Sequence, residues 1–383
     1  TNGTTKPDLT LTSVTNLTHF GYKLFALDVN NDGFQDLVIG NPMSCQQWLT
    51  EQEKDANELQ CRQCGNTVVF LSAKKWSNVS WERQHPIVYV NESDAILTNN
   101  IEFEWFGYHI DMNGDNTLFI SAPGARNQLL NTTGCIYVYD IRCSNSNNNC
   151  TFTLIYKING EQNIANSDFG YFFAFGNPYV VQNTDAHYKD ILAIASPSET
   201  FHLINRSHDI DIKSLNEKAH GGVVRFFNVT KMLSMNEKYA NESLLLTLVC
   251  DQEYARLGYF TLFKDINGDA IDDIILSAPY YVNGKYDADN YNITSANFTR
   301  ESGSVFTWYG GMKGIFRREE NDRDKVVYDV YNTSDLMFVG DIDKSSRLGF
   351  KIAINTNNVM VFSAHRATVD GKEMAGKVFV EQL

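Results

Sequence analysis

The chain has 383 residues, 43% hydrophobic and 13% aromatic, enough apolar material for one large domain or two of ordinary size. Its formal net charge of −14 argues against a nucleic-acid or anionic-membrane partner, and its 24 Phe and 19 Tyr lean towards β structure. No apolar run approaches the length of a membrane span; if the chain is secreted, its first residue follows a leader already removed.

From the N-terminus, a short alternating segment, "DLTLT" at 8–12, precedes five like units. The first, about 19–104, opens on "HFGY" at 19–22 and passes an acidic loop into "DLVIGNP" at 36–42. After a long insertion it continues through "GNTVVFLS" at 65–72 and "PIVYV" at 86–90. The second, 105–167, repeats the order with "WFGY" at 105–108, "LFISAPG" at 118–124, "GCIYVYD" at 134–140 and "TFTLIYK" at 151–157. The third, 168–255, has "DFGY", "ILAIASP" at 191–197, "GGVVRFF" at 221–227 and "SLLLTLV" at 243–249. The fourth, 256–346, has "RLGY", "IILSAPY" at 274–280, "GSVFTWYG" at 303–310 and "KVVYDV" at 325–330. The fifth, 347–383, has "RLGF", "VMVFSAH" at 359–365 and "GKVFVEQ" at 376–382, and no fourth run.

Three elements recurring in one order five times mark an internal repeat. A unit of four short strands cannot bury both faces alone, so units must stack on one another. The expected fold is therefore all-β, a propeller of four-stranded antiparallel blades. The segment at 8–12 is expected to supply the fourth strand of the fifth unit and close the ring. A Gly follows the aromatic or Leu of every signature, consistent with backbones crowding near the axis.

The acidic loop of the first unit reads Asp28, Asn30, Asp32, Phe34 and Asp36 at alternate positions, and it has a twin. Asp265, Asn267, Asp269, Ile271 and Asp273 stand at the same place in the fourth unit. Alternating side-chain oxygens on a tight loop suit a hard cation with six to eight oxygen ligands, Phe34 and Ile271 giving backbone carbonyls. A polar turn also favours Asp, Asn and Gly, but gains nothing from three like charges. Two Ca2+ sites are expected. In the second unit Phe119 stands where the ninth-position acid should be, so Asp111, Asn113 and Asp115 read as a plain hairpin turn. "QNTDAHYKD" in the third unit keeps only Asp190 of the pattern, and "NTNN" in the fifth keeps no acid.

Seven cysteines point to an oxidising compartment. Cys143 and Cys150 bracket a polar loop and read as a disulfide; Cys45 is expected to pair with Cys61 or Cys64, leaving Cys135 and Cys250 as further candidates. A zinc reading of "CRQC" lacks a second ligand pair. Asn-X-Ser/Thr sequons begin at Asn2, Asn16, Asn78, Asn91, Asn131, Asn149, Asn205, Asn228, Asn241, Asn292, Asn297 and Asn332, most in expected loops.

"FGY" followed by "GNP", "SAP" or "ASP" resembles the FG-GAP repeat of the integrin α-subunit propeller and of the propeller of glycosylphosphatidylinositol-specific phospholipase D. The resemblance covers nearly the whole chain and implies a seven-bladed propeller whose acidic hairpins bind calcium. Only five units are legible; intervals between signature glycines 21, 107, 170, 258 and 349 leave room for a degenerate sixth or seventh.

The eight histidines fall at no metal-ligand spacing, and no nucleophile elbow, phosphate loop or paired-carboxylate signature stands outside the acidic loops, so no enzyme activity is expected. In an antiparallel unit the first hairpin loops emerge on one face, opposite the long insertions at 41–64, 198–220 and 281–302. The third insertion carries Tyr280, Tyr281, Tyr286 and Tyr291, a residue type that suits interfaces. The leading expectation is an extracellular, calcium-stabilised module binding a protein or glycan, with association with a second subunit as a further expectation. The alternative is an accessory propeller of a secreted hydrolase.

Overall fold

The computed structural model describes residues 9–13, 18–44, 63–71, 87–99, 101–114, 116–127, 131–144, 149–161, 164–179, 190–202, 217–234, 243–250, 252–282, 301–311, 315, 326–341, 345–355 and 357–382. The chain divides into two compact units, Thr1–Asn159 and Gly160–Leu383. The architecture is all-β, built of the four-stranded antiparallel sheets of propeller blades.

In the first unit, β1 is Thr10–Thr12, β2 Lys23–Leu27, β3 Asp36–Asn41, β4 Asn66–Phe70, β5 Ile87–Tyr89 and β6 Ala95–Leu97. β7 is Ile110–Met112, β8 Thr117–Ala122, β9 Cys135–Ser144 and β10 Asn149–Asn159. One sheet runs β2-β3-β4-β6 and the next β7-β8-β9-β10. Their facing sides meet in a core of Val38, Val69, Phe106, Leu118, Ile120 and Tyr137. Middle strands are near-continuous apolar runs because both faces are covered, and all six residues of β8 are buried. The long β10 instead mixes exposed and buried positions, with Leu154 and Ile155 exposed in mid-strand and Ile158 buried near its end.

In the second unit, β11 is Phe172–Gly176, β12 Ile191–Ser196, β13 Phe201–His202, β14 Glu217–Lys218, β15 Val223–Asn228 and β16 Leu244–Val249. β17 is Thr261–Lys264, β18 Asp273–Ala278, β19 Ser304–Trp308, β20 Val326–Asp329 and β21 Leu336–Val339. β22 is Leu348–Ile354, β23 Val359–Ala364 and β24 Lys377–Gln382. These form sheets β11-β12-β15-β16-β20, β17-β18-β19-β21 and β22-β23-β24. Ala193, Val224, Phe226, Leu276 and Phe306 fill the first interface, and Ile275, Val305, Leu348 and Phe362 the second.

Why the glycines recur is visible at these interfaces. Gly222 opens β15 at φ +91°, and a Cβ there would lie 2.4 Å from the backbone nitrogen of Leu257. Gly258, of the next signature, would push a Cβ to 2.6 Å from that of Ala195. Between them Arg256 N–H donates to the His220 carbonyl and Leu257 N–H to that of Gly221. The same latch joins Arg347 and Leu348 to Glu301 and Ser302, and Trp105 and Phe106 to Gln63 and Cys64. The crowding that demands glycine therefore lies between one blade's signature and the third strand of the blade before it.

Two fourth strands differ from expectation. "PIVYV" and "KVVYDV" do not close their own sheets: β5 pairs in parallel with β1, and β20 in parallel with β16. Each is followed by a short turn, a 3-10 helix at Val90–Glu92 and α1 at Val330–Thr333, after which β6 or β21 takes the fourth position. Apolar runs without a two-residue period do not reveal which sheet they join. The N-terminal segment likewise contributes Thr10–Thr12 beside Ile87–Tyr89, in the relation that β16 bears to β20, while the fifth sheet has three described strands.

Cys143 and Cys150 form the expected disulfide across the β9–β10 hairpin. Cys64 is a free thiol, while Cys45 and Cys61 lie outside the described residues. Cys135 is buried in the first unit's core, where desolvation pushes its thiol up to about 12, and Cys250 in the core of the second. Neither forms a disulfide. Among described sequons, Asn91, Asn149 and Asn332 are exposed and Asn131 and Asn228 half-buried.

Candidate metal centre

The two acidic loops join first and second strands of their sheets, β2 to β3 and β17 to β18. In the first, Leu27 pairs with Asp36 and the chain between them bulges out as a loop; in the second, Lys264 pairs with Asp273. Both loops take left-handed backbone at the fourth and sixth positions: Asn31 and Gly33 at φ +57° and +87°, Gly268 and Ala270 at +82° and +65°. Those turns fold the alternate side chains back onto the loop.

The hydrogen bonds match almost one for one. Asp28 accepts from Asp32 N–H (3.0 Å) and Gly33 N–H (2.8 Å); Asp265 accepts from Gly268 (2.7 Å) and Ala270 (2.8 Å). The Asn30 amide oxygen takes Asp32 N–H and its nitrogen donates to the Asp32 carboxylate; Asn267 treats Asp269 alike. Asp32 and Asp269 each accept the N–H of the seventh residue, Phe34 or Ile271, at 2.9 Å. Asp36 and Asp273 reach back to Val29 and Ile266 N–H, both at 2.9 Å.

The ninth-position acids are the electrostatic anomaly. Asp36 is 1% exposed and Asp273 0%. Burial pushes the Asp273 carboxyl up to about 6, Asp269 and Asp265 adding to the rise while Gly310 and Ile266 N–H groups oppose it. Among the described residues, no three or more His, Cys, Asp or Glu side chains are gathered closely enough to hold a metal ion as they stand. The carboxylates instead hold the loop's own N–H groups, each oxygen keeping a further lone pair. The donor set is all oxygen, as a hard cation requires.

The loop of the second repeat, 105–167, differs in register. Met112 pairs with Leu118 and Asp111 with Phe119, so the hairpin is zipped through positions that loop out elsewhere. Asp111 sits in β7 and caps its neighbour Met112 N–H; Phe119 is fully buried; Asp115 lies outside the described residues. In the fifth repeat Asn355 alone accepts from Asn357 and Val359 N–H, an ordinary Asx turn. In the third, all of "QNTDAHYKD" but Asp190 lies outside the described residues, as do most of the long insertions and Tyr286 and Tyr291.

At the opposite end of the same strands the structure gathers residues that sequence reasoning passed over. Asp168, Arg256 and Arg347, the first letters of three signatures, all have left-handed backbone, and their side chains meet Ser198, Tyr280 and Glu301 from the loops between second and third strands. Their signal was the charge at a signature position occupied by His19 and Trp105 in the first and second repeats.

The FG-GAP repeat family matches residues 20–47, which include the whole first acidic loop. The chain is 23% identical over 323 residues to phosphatidylinositol-glycan-specific phospholipase D of Mus musculus, covering 80% of this chain and 32% of that protein. It is 24% identical over 268 residues to the protein of the same description from Dictyostelium discoideum, covering 66% of this chain and 25% of the relative. The chain thus spans about a third or less of these relatives. Repeat signature, blade sheets and these likenesses agree: residues 20–47 match an FG-GAP repeat, and the chain bears a distant likeness to part of such phospholipases.

Proposed function

We propose that the chain is an extracellular module whose two acidic hairpins bind calcium and whose opposite loop face binds a protein or glycan partner. The observation that carries this reading is the pair of like-built loops, each burying a ninth-position carboxylate beside two others. The one carboxylate of each loop held out of water is disfavoured by its acidic neighbours, and a divalent cation turns that cost into attraction. Asp28, Asn30, Asp32, Asp36 and the Phe34 carbonyl would hold one ion; Asp265, Asn267, Asp269, Asp273 and the Ile271 carbonyl the other. Calcium tolerates such irregular oxygen cages better than magnesium, which prefers a rigid octahedron. Exposed sequon asparagines and the Cys143–Cys150 disulfide support an extracellular setting. A second reading, an accessory module of a secreted hydrolase, is favoured by the phospholipase likeness. An upstream hydrolase domain in the full transcript selects it; a downstream stalk and membrane span selects adhesion.

Calorimetry in EGTA against millimolar calcium tests the metal. Saturation at a hundred times Kd stabilises by about 2.7 kcal/mol per site, so the melting temperature is expected to rise by several degrees with calcium. An unchanged melting temperature overturns the calcium reading. Asp32→Ala combined with Asp269→Ala is expected to remove the response; a persisting one places binding elsewhere.

A further inference from the structure

A row of charged side chains crosses the loop end of the second unit, at the other end of β18 from Asp273. Tyr280, just beyond that strand, is flanked by two guanidinium groups: Arg347 lies 4.2 Å and Arg256 5.4 Å from its ring centre. Arg347 is tied down. Its Nε donates to Glu301 at 2.6 Å, and Arg366 stands 4.0 Å from the same carboxylate. Arg256 is not held in this way: its hydrogen bond is to the Ser198 hydroxyl at 3.5 Å, while that hydroxyl itself donates to Asp168. The guanidinium carries five N–H donors in a planar fork. Arg256, Arg347 and Arg366 against Asp168 and Glu301 leave one surplus positive charge, on a chain whose net charge is −14.

The chemistry selects the ligand. A half-buried fork with spare donors over an aromatic floor suits a carboxylate, which it meets with two parallel hydrogen bonds. Asp168 and Glu301 on either side repel a polyanion such as a sulfated glycan, so the fit is to a single isolated acid. Neutral sugar hydroxyls find few partners, because Ser198 serves Asp168 and Glu301 serves Arg347. The surrounding aromatic rings offer flat faces to a peptide: Tyr259 packs at a tilt on Phe350 at 5.0 Å, and exposed Tyr254 likewise on His220 at 5.7 Å.

We propose that Arg256, with Tyr280 as floor and Arg347 beside it, captures the carboxylate of one Asp or Glu in a peptide segment of a partner protein. This rests on the reading of the chain as a binding module and names its ligand chemistry. A random-heptapeptide phage library panned on the full chain, with calcium and with EGTA, supplies the probes. Recovered peptides are synthesised and titrated by fluorescence anisotropy against the wild type, Arg256→Gln and Arg142→Gln, the last at an exposed position of the first unit. Peptides carrying one acid are expected, with at least tenfold weaker binding for Arg256→Gln and for the peptide whose acid is made an amide. Arg142→Gln should bind as the wild type does, and millimolar 3′-sialyllactose should not compete. If Arg256→Gln does not fold, Tyr280→Leu is read in its place. Recovered peptides that lack an acid, bind the Arg256 and Tyr280 variants equally, or yield to sialyllactose overturn this inference alone; no enrichment under either condition overturns the binding-module reading with it.

Discussion

The hairpin at Asp28–Asp36 and the one at Asp111–Phe119 begin with nearly the same letters, "DVNNDG" and "DMNGDN", yet fold differently. The first leaves its acids in an open loop whose side chains fold inwards; the second zips Asp111 opposite Phe119. The ninth residue decides. An apolar Phe119 gains by entering the sheet and drags the register with it, whereas Asp36 and Asp273 can be buried only where backbone N–H groups meet them. An acid-rich loop is therefore a metal candidate by virtue of the residue that ends it.

The sharpest way to break the comparison is Phe119→Asp. It buries a carboxylate at a fully enclosed site with no cation, and should cost more than about 4 kcal/mol in urea unfolding, without creating a calcium response. A tolerated, calcium-responsive variant would show that register follows the acids instead. Asp273→Ala should cost about 1–3 kcal/mol even in EGTA, because it orphans the Ile266 and Gly310 N–H groups. Ala270→Gly should stabilise by about 1 kcal/mol, since alanine there holds a left-handed φ that Gly33 accepts freely in the twin loop. Asp111→Asn, losing only a charge on a strand residue, should shift stability by about 0.5 kcal/mol or less and leave any calcium response intact.

A buried pair elsewhere in the blades illustrates the same rule with its charges compensated. Arg225 donates to both oxygens of Glu199, at 2.7 and 2.6 Å, and both side chains are almost fully enclosed. In the first unit Tyr137, also third after its glycine, donates to buried Glu104 at 2.7 Å, and Lys157 donates to the Tyr137 hydroxyl at 2.9 Å. Burial pushes the Glu104 carboxyl up while Tyr137, Lys157 and Asn99 oppose it. Neither set was legible in the sequence, because each is assembled from elements of different strands.

The sequence by itself determined the five units, the first three strands of each, the Cys143–Cys150 bridge and the two full acidic loops. Those features are local: a repeated period, a glycine at a fixed offset, a loop closed by its own side chains. Only tertiary structure decided that "PIVYV" and "KVVYDV" pair outside their own sheets, that glycines serve a latch between neighbouring blades, and that Arg256 and Arg347 share Tyr280. The physical reason is that apolar runs and isolated charges state a need for burial or for a partner. Which surface or partner meets that need is settled when distant strands come together.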